Sequence, residues 1–119
     1  MQIKLFDSEL KIMDVIWKNG DITAKRIAEI LKEQVGWSKT TTYTLIKRCI
    51  DKGAIERIEP NFVCHALVTI EQARELETTQ LINKMYDGAP DLLVASILGR
   101  KNLSPKEIER LKQLVNNLK

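Results

Sequence analysis

A chain of 119 residues and 13.7 kDa fits one domain, or a small domain with an appendage, and buries only a modest core without a partner. Its net charge of +3 and pI near 8.9 permit a polyanionic partner without demanding one; residues 1 to 67 hold 11 basic and 9 acidic side chains and residues 68 to 119 hold 8 and 7, so any basic surface has to be local. No apolar run approaches the roughly 18 residues of a membrane span, the opening MQIKLFDSEL has no signal-peptide pattern and two cysteines make no disulfide framework, so the expectation is a reducing cytoplasm with no membrane contact.

Taken in chain order, the pattern predicts a first helix from Asp7 or Ser8 to Asn19-Gly20, with Leu10, Met13, Ile16 and Trp17 as its apolar stripe. Asp21-Ile22 reads as a short extended link. Thr23 then caps a second helix, Ala24 to about Glu33, that buries Ile27, Ile30 and Leu31. Gln34 to Trp37 turns the chain into a third helix over residues 39 to 52, started by Ser38 and stopped by Gly53.

The third helix has an unusual outer face. At about 100° per residue, Thr42, Leu45, Ile46 and Cys49 share one side, while Thr40, Tyr43, Thr44, Lys47 and Asp51 lie on or near the other. The cluster Thr40, Thr41, Thr42 and Thr44 costs roughly 2 kcal/mol of helix propensity relative to alanine, and a merely solvated face carries Glu, Lys and Gln instead. Threonine hydroxyls bond phosphates and base edges, threonine methyls touch the thymine methyl, and Lys39, Lys47 and Arg48 add charge with no acid between Trp37 and Ile50. This combination suits the major groove of DNA. Three helices in this order, the last two joined by a turn, form a helix-turn-helix.

Ala54 to Ile58 and Phe62 to Val68 read as strands joined through the turn dipeptide Pro60-Asn61, a hairpin wing directly after the reading helix. Its electrostatics are weak: Arg57 is its cation, Glu56 and Glu59 oppose it, and Asn61 offers an amide. Phosphate contacts are therefore expected mainly from helix 3 and from the helix 2 N-terminus, where Thr23, Lys25 and Arg26 sit beside free amides.

Thr69, with Gln72 at capping-box spacing, opens a long helix to about Tyr86, ended by Asp87-Gly88-Ala89-Pro90. A compact apolar helix follows with Leu92, Leu93, Val94, Ile97 and Leu98, stopping near Gly99. Ser104-Pro105-Lys106-Glu107 then opens a last helix lined by Ile108, Leu111, Leu114, Val115 and Leu118. The expected fold is mainly α with a small β-hairpin wing: a winged helix-turn-helix over residues 1–68 followed by a three-helix dimerisation region over residues 69–119. Such a tail either folds back on its own chain or pairs with a second copy. Pairing is the favoured reading, because a two-fold dimer also presents two reading helices to a palindromic site. The residues assigned to it are Leu81, Ile82, Met85, Leu92, Leu93, Ile97, Ile108, Leu111, Leu114, Val115 and Leu118.

Over essentially its whole length the chain resembles the penicillinase-repressor (BlaI/MecI-type) family of winged-helix regulators. The resemblance is carried by Asp7-Ser8-Glu9-Leu10 and Val15-Ile16-Trp17, by Trp37-Ser38 leading to Thr41, Thr44-Leu45-Ile46 and Arg48, and by Lys52-Gly53-Ala54-Ile55. It continues through Leu81-Ile82-Asn83-Lys84-Met85-Tyr86 and Lys106-Glu107-Ile108-Glu109. It implies a homodimeric repressor of the kind that controls antibiotic resistance genes. Such a repressor binds an inverted-repeat double-stranded operator, with helix 3 in the major groove, the wing on the backbone and the C-terminal helices as the dimer contact. In the family the residue between the positions of Thr41 and Thr44 is often Arg or Gln. Here it is Tyr43, which cannot make a bidentate guanine contact. Relatives controlled by a protease are cut between Asn and Phe, and the matching pair here is Ser96-Ile97, so an inactivating protease is not supported. Copper-responsive members carry a cysteine-rich tail, and Asn116-Asn117-Leu118-Lys119 has no cysteine, so copper sensing of that kind is not expected.

Other chemistry has little support. Cys64-His65, with or without Cys49, matches no zinc spacing, and His65 is the single histidine. No nucleophile elbow or phosphate loop appears, so neither catalysis nor a cofactor is expected. The rival from another class is a winged-helix protein-interaction module, which would show no salt-sensitive binding to DNA; the other alternative is a repressor of the same fold that answers to a different signal.

Overall fold

The structure, a computed structural model, describes residues 2–118. Met1 and Lys119, which enter the opening segment and the cysteine-free tail discussed above, lie outside them. The described elements are α1 (Asp7–Asn19), β1 (Ile22–Thr23), α2 (Ala24–Val35), α3 (Lys39–Asp51), β2 (Ile55–Ile58), β3 (Val63–Ala66), α4 (Ile70–Met85), α5 (Pro90–Leu98) and α6 (Pro105–Asn116). By its contacts the chain divides into two compact units, one ending at Thr78 and the other beginning at Thr79. The divide falls inside α4.

In the first unit α1 packs on α2, α3 and β3. Contact from several sides widens its buried face beyond the expected stripe: Ile12 and Val15 are buried with Met13 and Ile16, while Leu10 and Trp17 sit at the margin. Trp17 remains half-buried because its indole N–H donates to the carbonyl of Val68 at 2.9 Å, which satisfies the polar edge of the ring. Phe6 stands at the N-cap of α1 with no acceptor of its own, and Glu9 compensates by accepting the Phe6 N–H at 2.8 Å.

Ile22 is extended, as read, but the segment is more than a link. Ile22 and Thr23 form a strand, pairing with Cys64 and Val63, so the sheet has the order β1-β3-β2 and β3 is central. The physical reason is that without this pairing one edge of β3 would leave its backbone groups unmatched. Thr23 ends the strand and caps α2 at once, its hydroxyl accepting from Arg26 N–H at 3.1 Å. α2 runs to Val35, past the expected Glu33, and stops where Gly36 takes the left-handed conformation at φ 75°.

The hairpin is shorter than read from sequence. β3 begins at Val63 rather than Phe62, because Asn61 (φ 75°) and Phe62 (φ 51°) both take left-handed conformations in the turn. The register pairs Ile55 with Ala66, Glu56 with His65, Arg57 with Cys64 and Ile58 with Val63. Ile55 and Cys64 face the core, which is filled by Ile12, Met13, Ile16, Ile27 and Ile46. Burying such a side chain fully contributes about 2 kcal/mol.

The tail helices have the expected starts. Thr69 and Gln72 bond reciprocally at 2.9 and 3.0 Å, and Ser104 and Glu107 do the same at 2.9 and 3.1 Å. Pro90, read as part of the stop after α4, is instead the first residue of α5, where its missing N–H costs nothing.

Candidate nucleic-acid interface

Helix α3 is held by its ends and by one face. Ser38 caps it, accepting from Thr41 N–H at 3.1 Å, with the two hydroxyls 3.0 Å apart. Gly53 follows the C-cap at φ 83°. Thr42, Leu45, Ile46 and Cys49 are buried, as their spacing required. By propensity Thr42 belongs with the outer threonine cluster, but it lies wholly in the core and its Oγ1 has no hydrogen-bond partner among the described residues.

The opposite face is open. Lys39, Thr40, Thr41, Thr44, Lys47 and Arg48 are all exposed, and Lys39, Thr40, Tyr43, Thr44 and Lys47 line a shallow hollow. No acid stands in the first turn of α3, so the positive end of the helix dipole and Lys39 add rather than cancel. A helix face of hydroxyls and cations, backed by a packed face, is suited to enter a groove lined by acceptors and phosphates.

Tyr43 does not stand free on that face. It is half-buried, its ring 5.9 Å from that of Phe62 and tilted by 55°. The Lys39 ammonium lies 5.6 Å from the Tyr43 ring centre and the Arg57 guanidinium 3.7 Å from that of Phe62. Tilted aromatic pairs contribute about 1 kcal/mol beyond their buried area, and cation contacts at exposed rings about 0.5 to 1. Phe62 also accepts the Ala24 N–H on its carbonyl at 2.9 Å. One residue at the wing tip thus touches both helices of the helix-turn-helix. From its sequence context Phe62 reads only as a strand residue; the signal for more is a large aromatic directly after a Pro-Asn turn.

The other expected contacts are more committed than the sequence suggested. Arg57 is ion-paired with Glu59 as well as stacked on Phe62, and Asn61 is exposed at the tip. At the start of α2 the amides of Ala24 and Arg26 are already bonded, to Phe62 and Thr23, so little of the expected anion-binding end is free. Arg26 faces Glu29 at 3.7 Å; Lys25 is exposed.

The titratable groups near the sheet separate by face. Cys64 is buried while His65, next along β3, points outward, so the two cannot share a metal. Burial pushes the Cys49 thiol up to about 12, with the Glu9 carboxylate adding to it, and burial pushes Cys64 up to about 11. Both stay protonated and unreactive near neutrality. No group of three His, Cys, Asp or Glu side chains among the described residues could hold a metal.

The His65 Nδ1 lies 2.7 Å from Asp21 Oδ1, and that hydrogen bond, with the carboxylate charge, raises the imidazole above its ordinary 6.5. A raised value stabilises the protonated fold: the contribution is complete below 6.5 and is lost as pH climbs through the folded-state value. An NMR titration of this single histidine is expected to give a midpoint above 6.5, returning to the ordinary range in Asp21→Asn. An unchanged midpoint in that variant would refute the pairing.

The residues assigned to a dimer contact lie in α4, α5, α6 and the residues after α6. Leu81, Met85, Leu92, Ile97, Ile108, Leu114, Val115 and Leu118 are exposed; Ile82, Leu93 and Leu111 are partly covered. Neither α5 nor α6 buries a residue fully.

Comparison with known proteins matches residues 5–117 to the Penicillinase repressor family model. The methicillin resistance regulatory protein MecI of Staphylococcus aureus (strain N315) is 32% identical over 115 residues, covering 95% of this chain and 94% of that protein. The penicillinase repressor of Bacillus licheniformis is 29% identical over 118 residues, covering 98% and 92%. The solution structure of the DNA-binding domain of the repressor BlaI aligns with a TM-score of 0.55 at 29% identity, over 60% of this chain and 93% of that one. The Bacillus licheniformis BlaI monomer in complex with the blaP half-operator aligns at 0.53 with 30% identity, over 58% and 87%. The order of helices, the wing and the match over nearly all residues agree: this chain belongs to the penicillinase repressor family.

Proposed function

We propose that the protein is a transcriptional repressor that binds a palindromic double-stranded operator as a homodimer, in the cytoplasm and without catalysis of its own. Residues 1–68 form the DNA-binding part and residues 69–119 the dimerisation part. The observation that carries this reading is the uncovered hydroxyl-and-cation face of α3, Lys39, Thr40, Thr41, Thr44, Lys47 and Arg48, in a fold whose BlaI relative has been solved on a half-operator. Thr44 and Tyr43 meet base edges, while Lys39, Lys47, Arg48 and Lys25 meet phosphates. The apolar residues left exposed on α4 to α6 support the homodimer. The Ser96-Ile97 pair gives no support to inactivation by cleavage.

The test is selection of bound sequences from random DNA, followed by affinity measured against salt. A palindrome is expected, with affinity falling steeply as salt rises. Lys47→Ala with Arg48→Ala should weaken binding on every sequence and reduce the slope of log K against log salt by about 2, close to one unit per lost phosphate contact. If the protein shows no salt-sensitive retention on DNA, an interaction module of the same fold replaces this reading.

A further inference from the structure

Between the reading helix and the wing runs a continuous stack: the Lys39 ammonium, the Tyr43 ring, the Phe62 ring and the Arg57 guanidinium, closed by the Arg57–Glu59 ion pair. Three features set it apart from incidental surface packing. Phe62 holds a left-handed backbone at φ 51°, a conformation that a bulky side chain adopts only where the surroundings compensate its cost. Its carbonyl is tied to the first amide of α2 at 2.9 Å, so the backbone that carries the ring is fixed to the helix-turn-helix. Arg57, the wing's cation, is spent on the stack and on Glu59, and so is poorly placed to neutralise a phosphate.

An unsupported Tyr on a helix surface samples several rotamers, and ordering it on DNA costs entropy. Clamped between Lys39 and Phe62, Tyr43 has that cost already met by the fold. Its hydroxyl makes no hydrogen bond among the described residues, and the residue lines the same hollow as Thr44 and Lys47.

Given the DNA-binding reading on which this rests, we infer that Tyr43 is a specificity-determining residue for a thymine in each half-site, held in reading position by Phe62 and Arg57. Its ring edge packs on the thymine methyl and its hydroxyl donates to O4, a single contact in place of a bidentate one. Phe62 and Arg57 act through Tyr43 as positioning residues. The wing tip therefore influences a base pair that it does not touch.

The test compares sequences selected by the full chain and by Tyr43→Phe, Phe62→Leu and Phe62→Tyr, with hydroxyl-radical footprints and circular dichroism for each. Tyr43→Phe is expected to keep the footprint and lose about fivefold of the thymine preference at one position per half-site, the worth of one hydrogen bond. Phe62→Leu should lose a similar share at that same position, and Phe62→Tyr, which keeps the stack, should restore it. Affinity for random DNA should change less than about twofold throughout, since no phosphate contact is removed. Phe62→Leu that folds, binds and keeps the full preference would overturn the coupling while leaving the DNA-binding reading intact. Failure of the unaltered protein to bind any DNA would remove both.

Discussion

Lys52→Met is expected to lower the free energy of unfolding by about 3 kcal/mol, measured by urea denaturation, although Lys52 lies outside the proposed interface. Lys52 stands at the C-cap of α3 and its ammonium donates to Glu9 Oε1 at 2.6 Å and to the carbonyl of Lys4 at 2.9 Å, while lying 4.1 Å from the Phe6 ring centre. Glu9 is only 1% exposed and its Oε2 has no partner among the described residues. Removing the lysine charge therefore strands a carboxylate in the core with the Phe6 N–H as its remaining donor. Lys52 keeps 28% of its side chain exposed, which places the effect at the lower end of the roughly 3 to 5 kcal/mol typical of broken buried pairs. Against a total stability of about 5 to 15 kcal/mol for such a domain, that is a large fraction. The double variant Glu9→Leu with Lys52→Met should recover more than half of the loss, because the uncompensated charge goes with it. A single variant within about 1 kcal/mol of the unaltered protein would show that Glu9 does not depend on Lys52 for its compensation.

Leu114→Asp on α6 is expected to convert the proposed homodimer into monomers at micromolar concentration, read by light scattering or sedimentation. Leu114 is 64% exposed within the single chain, so the substitution should leave the far-ultraviolet dichroism unchanged. In a paired tail, however, the new carboxylate would be buried opposite apolar neighbours, at a cost of several kcal/mol. Losing the second reading helix removes the effective-concentration gain of two linked contacts, so affinity for a full palindrome should fall on the order of 100-fold while half-site affinity stays nearly constant. A monomeric mass for the unaltered protein, or a Leu114→Asp variant that stays dimeric, would defeat this expectation.

Much of the first unit could be read from local patterns. The Ser38 cap, the Gly53 stop and the burial of Leu45, Ile46 and Cys49 followed from spacing alone, because each depends on chemistry within one or two helical turns. The Thr69-Gln72 and Ser104-Glu107 capping boxes belong to the same kind. The strand β1 did not, since two residues carry no periodicity, and only the unpaired edge of β3, some 40 residues away in the chain, makes them extended.

The candidate site shows the same division. Sequence by itself determined which face of α3 is polar and which is apolar, because helical geometry assigns faces without reference to anything else. Which of those polar residues are free was decided by the tertiary structure. Tyr43 is engaged because Phe62 reaches it from the wing, Arg57 because Phe62 and Glu59 surround it, and Lys52 because Glu9 is buried beneath it. Each of these pairings depends on through-space distance set by the packing of separate elements, a quantity that residue order along the chain does not contain.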